Sequence, residues 1–229
     1  MNARAFVLPL AAMTVIVLAS NILVQFPVSG NIGTLALGDI LTWGAFTYPF
    51  AFLVTDLTNR RFGPVVARRI VYAGFAVAIL ASIVAPPLLF RYGLLEYPTA
   101  GDRLVRIALA SGAAFLMAQL LDIAVFNRLR QLNWWKAPAF ASIAGSVIDT
   151  LTFFSLAFAP AFLLLGPTDA FSLEPAPLLG VFAVDAPRWI SWALGDFTVK
   201  LAIAAFALVP YRILMQRFMP YRPVGATAA

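Results

Sequence analysis

The sequence predicts an all-α membrane protein: a single domain, residues 1–220, of six transmembrane helices in one bundle, followed by a flexible tail, residues 221–229. Three observations predict it. Of the 229 residues, 62% are hydrophobic and only 11% charged, whereas soluble domains are about half apolar and about a quarter charged. The apolar side chains gather into six stretches, each near or above the roughly 20 residues that one helical crossing needs. The charges lie mainly between these stretches. No soluble fold of this length has an interior large enough to hide that much apolar side chain, whereas a bilayer is itself an apolar solvent.

The stretches run Ala5–Phe26, Ile40–Leu57, Ile70–Phe90, Leu104–Phe126, Ala137–Leu165 and Trp189–Leu214. The first follows Arg4 and competes with a secretory signal cleaved after Val17-Leu18-Ala19. The apolar run continues past that point, which favours a retained helix. The second contains Pro49, with Gly44 one turn earlier; a proline frees a carbonyl and can kink a membrane helix. The third is uninterrupted by charge, and the fourth carries Asp122 as well as Arg106 near its outer end. The fifth is over-long and is expected to tilt or to end in an interfacial turn near Pro160. The sixth carries Asp196 and Lys200. Between the fifth and sixth, Gly166–Arg188 is rich in Pro and Gly and suits an outer cap. No stretch alternates as a β-barrel strand would, and no internal repeat is evident.

Charge placement sets the expected orientation. Arg4, Arg60, Arg61, Arg68, Arg69, Arg128, Arg130, Lys136, Arg212, Arg217 and Arg222 fall on one side, against Arg91, Arg103, Arg106 and Arg188 on the other. By the positive-inside rule both termini face the cytoplasm of a multi-pass inner-membrane protein. The acids Asp39, Glu96, Asp102, Asp169, Glu174 and Asp185 collect outside. Trp134, Trp135 and Tyr211 fit an inner aromatic belt, and Tyr92, Trp189 and Trp192 an outer one.

Composition also excludes chemistry. With no Cys and no His, there are no disulfides, thiol nucleophiles, His-ligated metals or His acid–base catalysts. No cofactor or metal is expected, and nothing resembles a P-loop. The net charge of +6 reads as a topology signal at lipid headgroups, and no nucleic-acid partner is expected.

Ionisable residues within apolar stretches cost at least ~2.5–3.5 kcal/mol each on insertion scales. Five need a reason: Asp56, Asp122, Asp149, Asp196 and Lys200. Asp196 and Lys200 are one turn apart on one helix face, so self-neutralisation competes with a ligand role. Asp149 has no local cation, so it either pairs with Lys200 across helices or serves as a ligand group in a wet cavity. Asp122 near Arg128 and Arg130, and Asp56 four residues before Arg60, read as coupling groups or structural ion pairs. Around them lie Asn21, Gln25, Thr42, Thr47, Thr55 and Gln119, whose amides and hydroxyls suit either a ligand edge or interhelical hydrogen bonds. Trp43, Phe46 and Tyr48 could stack on a flat ring.

These residues also carry a resemblance. Val24-Gln25-Phe26-Pro27, Thr42-Trp43-Gly44-Ala45-Phe46-Thr47-Tyr48-Pro49-Phe50 and Thr55-Asp56-Leu57-Thr58 resemble the queuosine-precursor transporter family, also called VUT. Ala67-Arg68-Arg69-Ile70, Gln119-Leu120-Leu121-Asp122, Phe126-Asn127-Arg128-Leu129-Arg130, Trp134-Trp135, Ser146 to Asp149-Thr150 with Phe153-Phe154, and Asp196 with Lys200 continue it over residues 20–205. The resemblance implies import of small 7-deazaguanines, the cyano or aminomethyl precursors of queuosine, across a bacterial inner membrane for salvage into tRNA modification. It also implies a fold similar to the substrate-binding subunits of energy-coupling-factor transporters. A carboxylate such as Asp149 or Asp196 could accept from the N–H groups of a guanine-like edge, with Gln25, Asn21 or Gln119 completing it. A stand-alone secondary carrier is the leading expectation, since the first stretch lacks an Ala-x-x-x-Ala docking face. The alternatives are a binding subunit of an ATP-driven transporter, an intramembrane paired-Asp enzyme built on Asp122 and Asp149, and a structural protein. A homodimer is left open.

Overall fold

A computed structural model describes residues 3–218, and they are mostly helical. The predicted tail, Arg222 and the Arg4 side chain lie outside what is described. Helix α1 spans Ala3–Leu23, α2 Gly44–Thr47, α3 Phe50–Phe62, α4 Pro64–Arg91, α5 Gly101–Leu129, α6 Lys136–Phe158, α7 Ala170–Leu173 and α8 Arg188–Phe218. Five of these (α1, α4, α5, α6 and α8) are long and apolar enough to cross a membrane. Large apolar side chains cover their outer faces, among them Leu8, Val15, Leu80, Leu151, Phe206 and Ile213, as expected where the solvent is lipid. The chain is therefore a multi-pass membrane protein.

The second predicted segment differs. Ile40–Trp43 are not helical: Val28 N–H donates to Leu41 O and Trp43 N–H to Phe26 O, closing a non-helical loop after α1. Helical structure begins at Gly44 and ends at Phe62, interrupted at Pro49. Pro49 has no N–H to donate, and the next donors reach back only three residues, Ala51 to Tyr48 and Phe52 to Pro49. Tyr48 and Pro49 nevertheless keep right-handed helical dihedrals, so the chain tightens there without reversing. Gly63, at φ +83°, ends α3 and opens α4. The fifth segment ends in a turn near Pro160, one of the two outcomes expected of its excess length: α6 stops at Phe158, and Pro160–Leu165 form a 3-10 turn. Two small antiparallel ribbons, Asn31–Ile32 with Leu35–Ala36 and Pro175–Pro177 with Asp185–Pro187, lie in the connections.

Side-chain links define two ends. At one, Arg60 Nε donates to Tyr211 Oη at 2.8 Å and Arg60 Nη1 to Arg130 O at 3.4 Å. Tyr211, expected at a headgroup belt, is instead 1% exposed. At the other end, Arg106 is buried and its three guanidinium nitrogens donate to Leu156 O (2.8 Å), Ala159 O (2.8 Å) and Gly166 O (2.7 Å). These carbonyls belong to the end of α6 and the turn beyond it, where helical acceptors run out of donors. A cation there also complements the helix dipole. Ion pairs Arg103–Asp169 (2.8 Å) and Arg188–Glu174 (3.4 Å) tie down the same end.

Small residues set how closely the helices pack. A Cβ on Gly112 of α5 would sit 2.2 Å from Ile79 Cδ1 of α4. One on Gly44 would sit 2.8 Å from the Val24 backbone. The main core joins Met13 and Val17 of α1 to Ile70 and Val71 of α4 and Phe115 and Ile123 of α5. A second cluster joins Phe126 of α5 to Ala137 and Ala141 of α6 and Tyr211 and Met215 of α8.

Arg106→Ala is expected to destabilise the fold by about 3 kcal/mol or more, because three carbonyls lose charge-assisted partners. Thermal unfolding in detergent, compared with Arg103→Ala as an exposed control, checks this. Gly44→Ala is expected to be comparably harmful, because the obstacle is backbone, which cannot rotate away.

Candidate functional site

The intramembrane charges of α6 and α8 meet. Lys200 donates to Asp149 Oδ2 at 2.5 Å, to Asp196 Oδ2, and to Thr150 Oγ1 at 3.3 Å. All three ammonium protons are thereby engaged. Tyr48 Oη donates to Asp149 Oδ1 at 2.9 Å, and Thr150 Oγ1 donates to Asp196 Oδ2 at 3.0 Å. The sequence left Asp149 between pairing with Lys200 and lining a wet cavity; the structure does both. Two carboxylates against one ammonium leave the trio one negative charge in excess when all are ionised.

The trio borders a cavity of about 440 Å³ enclosed by α1, the loop after it, α2, α4, α5, α6 and α8. The Asp196 side chain is the more open of the two acids, 16% exposed against 5% for Asp149, and no described residue donates to its Oδ1. Of the other residues the sequence nominated, Asn21, Gln25 and Tyr48 line this cavity. Asn21 is already engaged: Nδ2 donates to Val17 O at 2.9 Å and Oδ1 accepts from Ser82 at 2.7 Å. The Gln25 amide has no such partner among the described residues.

Five nominated residues lie elsewhere. Trp43 is 45% exposed and packs against Phe46 at 5.7 Å between ring centroids, and neither lines the cavity. Both precede the tightening at Pro49, which turns Tyr48 inward. Gln119 is fully buried, accepting from Thr55 Oγ1 at 2.5 Å. Asp122 makes no ion pair with Arg128 or Arg130 among the described residues; it faces Asp56 across α3 and α5. Asp56 and Asp122 do not line the cavity.

The aromatic wall was not read as a site. Phe153, Phe154 and Phe158 of α6, with Phe171 and Trp192, line the cavity. Phe158 and Trp192 meet edge to face at 5.4 Å, and the Trp192 indole N–H donates to Asp39 O at 2.8 Å. Their signal was present as aromatics at i, i+1 and i+5 around Asp149-Thr150, but the same pattern describes lipid-facing side chains. Trp192, expected in a headgroup belt, instead turns toward the cavity mouth with Arg188, whose guanidinium lies over the Phe171 ring at 4.4 Å. The arrangement offers a flat, aromatic-walled chamber with hydrogen-bond acceptors at its floor.

Residues 42–215 match the family described as "Putative vitamin uptake transporter". The "Queuosine precursor transporter" of Escherichia coli (strain K12) is 38% identical over 89% of this chain and 83% of that protein. The "Probable queuosine precursor transporter" of Haemophilus influenzae (strain ATCC 51907 / DSM 11121 / KW20 / Rd) is 38% identical over 85% of this chain and 79% of its own length. That of Bacillus subtilis (strain 168) is 25% identical over 78% of this chain and 73% of its own. No solved structure matches.

Lys200→Ala is expected to be more destabilising than Lys200→Ala combined with Asp149→Asn and Asp196→Asn, since removing one partner leaves buried charge uncompensated by about 3–5 kcal/mol. Unfolding midpoints of the single and triple variants measure the difference. The chain belongs to the vitamin uptake transporter family.

Proposed function

We propose that this protein imports 7-deazaguanine precursors of queuosine across a bacterial inner membrane, working as a stand-alone carrier. The observation that carries the reading is the cavity floored by Asp149, Lys200 and Asp196 and walled by aromatic rings. Relatives sharing most of the chain are named for the same cargo.

The chemistry fits a flat, donor-rich heterocycle. The open Asp196 oxygen accepts from the N–H groups of a guanine-like edge, and the Gln25 amide supplies a donor and an acceptor. Phe153, Phe154, Phe158 and Trp192 bury the ring faces. The excess negative charge of the trio suits a protonated aminomethyl substituent. The Tyr48–Asp149 bond links substrate binding to α3: a ligand that competes for Asp149 releases Tyr48, next to the proline where the helix is least restrained.

Six crossings follow if α2 and α3 act as one. Gly44–Phe62 extends about 28 Å at 1.5 Å per residue, close to the hydrocarbon thickness. The end holding Arg60, Arg130 and Tyr211 then faces the cytoplasm with both termini, and the cavity opens outward. The likeness to energy-coupling-factor binding subunits belongs to this reading, as does the absence of enzymatic turnover.

Asp149→Asn is expected to abolish uptake while the protein remains in the membrane, and Trp192→Ala to weaken half-saturation by about tenfold, the loss of roughly 1–1.5 kcal/mol of ring contact. The assay is queuosine in tRNA of cells unable to make the precursors, fed the cyano or aminomethyl compound. Normal queuosine with well-expressed Asp149→Asn would remove the floor from the substrate site.

A further inference from the structure

A second acidic cluster lies beneath the first. Asp56 of α3 and Asp122 of α5 are 1% and 0% exposed, and their carboxyl groups face one another within hydrogen-bonding range. Asp56 is two turns beyond Tyr48 on the same helical run. Asp56 Oδ1 and both Asp122 oxygens accept from no N–H or O–H donor among the described residues. Around them, Gln119 Nε2, Asn59 Oδ1 and Ser146 Oγ are buried and equally unpartnered. A set of orphaned polar atoms on three helices marks a place where something small binds.

Asp56 also borders a small hollow, about 10 Å³, lined by Ser142 and Ser146 of α6 and Tyr211 of α8. That is room for about one water molecule. Phe52 also lines this hollow: it is 1% exposed, and a Cβ on Gly145 would sit 2.5 Å from its Cε1. Tyr48 meets Phe52 edge to face at 6.3 Å. A residue that lines the substrate cavity thus touches a ring that lines the hollow beside Asp56.

We propose that Asp56 and Asp122 form a proton-binding site that couples transport to the proton gradient. Two buried carboxylates in contact cannot both be ionised without a cation between them; sharing one proton turns repulsion into a hydrogen bond. The charged and titratable groups facing the pair are Arg60 on α3 and Tyr211 on α8, with Arg130 behind them. Arg60 is itself held by Tyr211, by Arg130 O and over the Phe126 ring at 5.0 Å. It flanks the pair, and the two carboxyls together hold one proton and one negative charge. The balance is simple: one proton adds to a carboxylate of the pair from the outer side and leaves from the same oxygen toward the inner side, through the hydrated hollow, with no bond made or broken elsewhere. Movement of Tyr48 and Phe52 when substrate binds Asp149 opens the path between the two sites.

The coupling rests on the substrate reading above, and its test separates the two. The full chain is reconstituted in vesicles of phosphatidylethanolamine and phosphatidylglycerol and given labelled 7-cyano-7-deazaguanine. In sodium-free buffer, a gradient of one pH unit, acid outside, supports up to about tenfold accumulation at one proton per substrate. Asp122→Asn and Asp56→Asn are expected to lose accumulation above the bath while keeping labelled-for-unlabelled exchange. Accumulation that survives in Asp122→Asn, or that follows a sodium gradient instead, overturns the proton site and leaves the substrate reading intact. Absence of exchange by the wild type overturns the substrate reading; the infrared spectrum of the substrate-free protein then decides the site. A protonated-carboxyl band at neutral pH, removed by Asp122→Asn, supports the shared proton, and a wild type without that band refutes it.

Discussion

The ammonium of Lys200, held between Asp149 and Asp196, is the interaction on which the rest of this structure depends. Charge at bilayer depth is tolerated only when paired, hydrogen-bonded or hydrated. One turn of α8 places Asp196 and Lys200 together, but Lys200 also reaches α6, and Asp149 in turn reaches Tyr48 before α3. A single cation therefore ties three parts of the bundle around one chamber. Because acids outnumber the ammonium, the same contact that lets the helices coexist in lipid leaves acceptor capacity at the floor of the cavity.

The two acidic clusters sit in different surroundings. The upper has a cation, hydroxyl donors from Tyr48 and Thr150, and an open chamber. The lower has facing carboxyls, no donor for three of their oxygens among the described residues, and room for about one water. Their chemistry differs because their neighbours differ, although all four are aspartates in apolar helices. Phe52, which lines the hollow beside Asp56, is seated against a glycine that leaves no space for a Cβ.

Close packing carries the architecture elsewhere. Gly44 against Val24, Gly112 against Ile79 and Gly145 against Phe52 are approaches that any larger residue would obstruct. In lipid there is no hydrophobic drive between helices, so small residues and interhelical hydrogen bonds such as Thr55–Gln119 and Ser20–Thr47 take a large share of the association. Arg106 performs the complementary task at the bundle's end, where carbonyls beyond α6 would otherwise face an apolar environment unpaired.

Hydropathy was enough to read an all-α multi-pass protein and to approximate its long helices, because apolar length is dictated by bilayer thickness and is local in the chain. The i, i+4 relation of Asp196 and Lys200 was legible for the same reason. What the sequence by itself could not decide was which acid meets which partner. Asp149 and Lys200 are 51 residues apart, and Asp122 turned from nearby arginines to Asp56, 66 positions before it. Nor could it separate Phe153 and Trp192, which line the cavity, from rings that face lipid, since both are aromatic and both lie on apolar helices. Only the rotation of each helix about its axis, fixed by glycine contacts and by the tightening at Pro49, decided which side chains share the chamber.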